Sequence, residues 1–170
     1  GGVRGSTPVT FFEASWRRSW SGLGCRGDGA ALRAELLLRY SEAHRAYHTR
    51  QHLQECLEAF EVVRSCAQHP HEIEMALWFH DAVYEVRRSD NEAQSADWAR
   101  TSMLQAGASA EVAARVHALI MVTLHTAVPT DADASSAQAL AATALPLAEA
   151  QAVLNKVAPA SIVLLDACRD

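Results

Sequence analysis

Residues 72–84 read EIEMALWFHDAVY: the stretch is apolar nearly all round at Met75, Ala76, Leu77, Trp78 and Phe79, then breaks into two ligand-type side chains, His80 and Asp81. A helix that is apolar on every side belongs at the centre of a bundle. An ionised Asp at the end of such a helix is costly unless something positive compensates it, and a divalent cation shared with histidines does so. The stretch therefore predicts a central buried helix with a site in its last turn.

Working outward, Pro70 separates this helix from an amphipathic one over residues 48–68, where Leu53, Cys56, Leu57, Phe60 and Val63 follow the rhythm of one buried face. Further upstream, Leu recurs at helical spacing over residues 30–40, and residues 41–47 form a break. The Gly-rich stretch 21–29 sets apart an aromatic segment, 11–20, that is preceded by a loose polar terminus. Downstream, Asp90 or Asn91 caps a helix that runs to about Ala106 and is closed by Gly107; Ser109 starts another that runs toward Leu124 or His125. After Pro129 the chain is almost wholly Ala, Ser, Thr, Leu and Gln, with weak periodicity. Strand signals are scarce. The expected fold class is all-α, a compact single-domain helical bundle, for which 170 residues supply one core. Its expected organisation is a loose N-terminal segment with a short aromatic helix (1–29), a helical core (30–128), an Ala-rich insertion (129–160) and a short C-terminal element (161–170).

The net charge is −5, and the 15 basic residues, all Arg except Lys156, are scattered rather than gathered into a stripe. That disfavours duplex nucleic acid as a partner. Cys25, Cys56, Cys66 and Cys168 form no CxxC pair, so neither a zinc knuckle nor a disulfide scaffold is indicated and a reducing compartment fits. No stretch approaches a membrane span, and residues 9–12 are too short for a signal-peptide core, so no membrane partner and a cytoplasmic location are expected.

His48 and His52 stand four apart, the spacing that projects two side chains from one helix face. Two imidazoles so placed can share a metal, or one can bind metal while the other donates a proton. As a pair they are equally compatible with a solvated polar face.

With His80-Asp81 following about thirty residues later, the chain resembles the HD superfamily of metal-dependent phosphohydrolases. Three segments carry the likeness: Arg45-Ala46-Tyr47-His48-Thr49-Arg50-Gln51-His52, then Leu77-Trp78-Phe79-His80-Asp81-Ala82-Val83-Tyr84, then Asn91-Glu92-Ala93-Gln94-Ser95-Ala96. They look like the RxYHxxxHL, WFHDxVY and NExxSA motifs of a small bacterial-type subfamily of predicted HD phosphohydrolases. The likeness covers roughly residues 30–128 and implies an HD-domain-like bundle. The first segment is also similar to the motif of cyclic-nucleotide phosphodiesterases, in which the second histidine binds metal and the first protonates the leaving oxygen. By that resemblance His52 is a ligand and His48 the general acid; Thr49 stands where that pattern has Asn, and cyclic-nucleotide specificity is not implied.

The resemblance thus implies a divalent ion on His52, His80 and Asp81, generating hydroxide from a coordinated water and polarising the phosphoryl oxygen of a small phosphorylated substrate. Mixed imidazole and carboxylate ligands suit Mn, Fe, Co, Ni or Mg, and Zn fits as well. Glu92 is expected either to complement its helix dipole or to face the site. Arg45 and Arg50 are candidate phosphate contacts, with Arg87 and Arg88 also available, and His125 falls near a TxxH-like element of the subfamily that is one residue short here. The superfamily pattern closes with a later Asp in a DxD-like stretch. Here residues 163–168 supply Asp166, but Cys168 occupies the second acidic position, so the closing ligand is Asp166, Asp131, Asp133 or Cys168. By that comparison the 161–170 element is truncated. Two other classes stay open: a binding module with the same fold that has lost turnover, and a di-iron oxygenase, which needs His117 or His125 as extra ligands.

Overall fold

A computed structural model describes residues 9–45, 49–85 and 87–122. They form six helices: α1 (Phe11–Gly22), α2 (Ala30–Arg39), α3 (Arg50–Val63), α4 (Pro70–Phe79), α5 (Asn91–Gln105) and α6 (Ala110–Val122). A 3₁₀ turn, Arg64–Cys66, follows α3, and there is no strand among the described residues. The all-helical expectation holds. No described helix is long and apolar enough to cross a membrane.

The central helix is α4, which packs against α1, α3, α5 and α6. Met75, Trp78 and Phe79 are fully buried, as an all-round apolar sequence requires. Two charges are buried with them. The Glu74 carboxylate accepts from Ser15 Oγ at 2.8 Å and Arg64 Nη1 at 2.6 Å, and it also takes Arg18, so it ties α4 to α1 and to the turn after α3. Glu72 is held by Arg115 of α6 at 2.7 Å. Buried carboxylates are tolerated only when paired in this way.

The aromatic segment is no appendage. Its Trp16 and Trp20, one helical turn apart, stack at 5.1 Å and lie in the same core as Trp78, whose ring Trp16 meets edge-on at 5.2 Å. Gly29 turns the chain under these indoles with φ +61°, where any Cβ would sit 2.9 Å from Trp16 and Trp20. Gly107 (φ +93°) follows the Ala106 cap of α5, and α6 folds back onto that helix.

The bounds of α3 and α4 differ from expectation, α3 also ending at Val63 rather than near residue 68. α3 begins at Arg50, with Thr49 as its N-cap, rather than at residue 48. α4 starts at Pro70, the favoured first-turn position, and stops at Phe79 instead of continuing to residue 84. That early stop builds the site.

Candidate metal centre

Leu77 O is the carbonyl that Asp81 N–H would pair with in a continuing helix. His80 Nδ1 takes it instead, at 2.6 Å. Asp81 N–H donates to the Tyr40 hydroxyl (3.2 Å), which itself donates to Trp78 O at 3.0 Å. Arg45, buried against the Tyr40 and Tyr84 rings, donates from Nη1 to Asp81 O (2.6 Å) and from Nη2 to Ala82 O (2.9 Å). Ser95 Oγ accepts from Val83 N–H at 3.0 Å, and Asn91 binds both backbone groups of Glu85. Tertiary partners thus take up Asp81 N–H and O, Ala82 O and Val83 N–H, while Ala82 N–H turns back to Phe79 O, and together these bonds hold His80 and Asp81 in a turn after α4. Burial pushes the Tyr40 phenol well above its ordinary value, so it stays neutral and can bridge the two backbone groups.

The facing wall is α3. Leu53 and Leu57, 0% and 1% exposed, fix the helix against the core. His52 and Cys56, four apart on the neighbouring face, are thereby turned toward the end of α4. Asp81 Oδ2 lies 3.0 Å from His80 Nε2 and 3.4 Å from His52 Nε2. Cys56 Sγ lies 3.6 Å from His52 Nε2, and the donor atoms of His52, Cys56 and His80 are all within 4.8 Å of one another, a group able to hold a metal ion. All four side chains are largely shielded from solvent.

These residues fit a divalent ion. Two donors about 2.1 Å from one ion stand about 3.0 Å apart at octahedral angles and about 3.4 Å apart at tetrahedral ones, which brackets the observed separations. The Leu77 carbonyl holds Nδ1–H of His80 and aims Nε2 at the cluster, the usual way a carbonyl orients a ligating imidazole. Without an ion, burial opposes a charge on His80, but Asp81 and Tyr40 beside it win and hold its pKa well above the ordinary value. Cys56 is pushed up by burial and pulled down more strongly by hydrogen bonds with His52 and His80, ending at about 7.

The structure therefore brings together His52, His80 and Asp81. Arg45 lies behind them, bonded to the main chain rather than presented on a free surface. Arg50 is exposed in the first turn of α3. Glu92, in the first turn of α5, is half-buried and has no hydrogen-bond or ion-pair partner among the described residues. Of the other two arginines, Arg88 pairs with Asp90 at 2.9 Å. His117 pairs with Asp97 at 2.8 Å. His48, His125, Asp131, Asp133, Asp166 and Cys168 lie outside the described residues.

Cys56 and Tyr40 were not singled out from sequence. Cys56 had a signal, its i, i+4 spacing from His52, but it reads equally well as one more apolar position of an amphipathic helix. Tyr40 had none. Compared with known proteins, the chain matches no family model, no curated protein and no solved structure.

Proposed function

We propose that this chain is a metal-dependent phosphohydrolase of the HD type, acting on a nucleotide or another small phosphorylated metabolite. The observation that carries the reading is the convergence of His52 Nε2, His80 Nε2 and Asp81 Oδ2, from two helices, on one shielded point with 3.0 and 3.4 Å between donors. A divalent cation there would supply Lewis acidity toward a phosphoryl oxygen and would acidify water into a nucleophile near neutral pH. The chain's own residues do the rest. His52 and His80 act as neutral donors, Asp81 offsets the cation's charge, and Tyr40 and Arg45 keep the Asp81 main chain from moving. Arg50, two residues before His52 and exposed, is the candidate phosphate contact, and His48 is the candidate proton donor to the leaving alcohol.

The test is metal analysis of the purified protein together with a phosphatase and phosphodiesterase screen in Mn, Mg, Co, Ni and Zn. Metal-dependent turnover is expected, reduced by about 10²–10⁴-fold in Asp81→Ala, since loss of the ion removes several kcal/mol of transition-state stabilisation. A wild-type protein that binds no metal and turns over no phosphate ester overturns the reading.

A further inference from the structure

We infer that Cys56 is a further ligand of the ion held by His52, His80 and Asp81, and that its thiolate selects zinc, cobalt(II) or iron(II) over magnesium. This rests on the metal reading above, and it adds a ligand that the motifs do not contain.

Position is the first argument. Cys56 follows His52 by one helical turn on α3, and its sulfur lies 3.6 Å from His52 Nε2. A thiolate at about 2.3 Å and an imidazole nitrogen at about 2.05 Å from one ion stand about 3.5 Å apart at tetrahedral angles. The Cys56–His52 pair matches that separation, and the His80 donor lies within 4.8 Å of both.

The surroundings are the second. A buried free cysteine ordinarily behaves as a small hydrophobe among apolar neighbours. Cys25 does so, since it is 8% exposed and belongs to the hydrophobic core. Cys56 is equally buried, but it is not part of the main packed cluster, and its sulfur lies beside two ring nitrogens.

Charge is the third. A divalent ion held by two neutral imidazoles and Asp81 alone keeps a net charge of about +1 in a shielded site, which is costly. Adding the Cys56 thiolate brings the set to neutrality with residues of α3 and the end of α4 only. The soft donor then decides the metal: thiolate suits zinc and iron, whereas magnesium takes oxygen ligands and keeps its waters.

The experiment loads the metal-free full chain with cobalt(II) under reducing, oxygen-free conditions and records the near-ultraviolet thiolate-to-cobalt charge-transfer band. The band should saturate at one cobalt per chain, be bleached by zinc and resist excess magnesium. In Cys56→Ser it should vanish while cobalt still binds, with affinity lowered by roughly 10- to 100-fold or more. The wild-type spectrum does not depend on how well the variant folds. Cobalt binding without the band, a band that persists in Cys56→Ser, or displacement by magnesium as readily as by zinc would overturn the inference and leave the phosphohydrolase reading standing. No cobalt binding overturns both. A Cys56-dependent band in a protein that turns over no phosphate ester supports the ligand and overturns the activity.

Discussion

Tyr40 shows how a residue with no chemistry of its own sets the candidate site. Its hydroxyl links Trp78 O to Asp81 N–H, joining the last turn of α4 to the segment after it. Tyr40→Phe keeps the ring and deletes that bridge, removing one hydrogen bond from each of the two backbone groups. It should cost about 1–3 kcal/mol in denaturant unfolding. A purely structural role would stop there. Because Tyr40 also orients the Asp81 main chain, cobalt or zinc affinity of the folded variant should fall by about tenfold. Unchanged affinity in a destabilised protein would reduce Tyr40 to packing. Arg45 works on the same segment from the carbonyl side, which explains why an arginine of the first motif is 6% exposed rather than reaching into solvent.

At the level of the element, α3 aims two of the four donors, so its start matters. Thr49 accepts from His52 N–H at 3.5 Å and caps the helix at the residue that carries the first donor. Thr49→Ala should lower stability by about 1 kcal/mol, whereas Thr49→Asn, an equally good cap, should be close to neutral in thermal unfolding. In the NExxSA segment, Asn91 and Ser95 brace residues 83–85 while Ala96 is fully buried. Two of its named positions support the chain beside the site.

Across the described helices, α1 and α4 share one core, so the aromatic segment and the His80-Asp81 pair are parts of one folding unit. Trp16 is fully buried between Trp20 and Trp78, and Ser15 bonds both Glu74 and the Trp78 indole. Trp16→Ala should cost about 3–5 kcal/mol and lower metal affinity together with stability, because Trp78 anchors the helix that ends in His80 and Asp81. If calorimetry shows little loss, α1 is an independent attachment.

The sequence by itself determined the helices and the central place of α4, because 3.6-residue periodicity, caps and Gly or Pro punctuation act within one or two turns. It also pointed to His52, His80 and Asp81 as candidates for one site, and the structure places both histidines within 3.4 Å of Asp81. Only the tertiary structure decided where α4 stops, that Arg45 faces the main chain, that Cys56 joins the donors and that α1 belongs to the core. The contacts responsible span 38 residues from Tyr40 to Trp78 and 63 from Ser15 to Trp78. Partners so far apart leave no local pattern. Whether Cys56 meets apolar side chains or imidazoles depends on which face of α3 the core takes, and its own spacing is the same in either case.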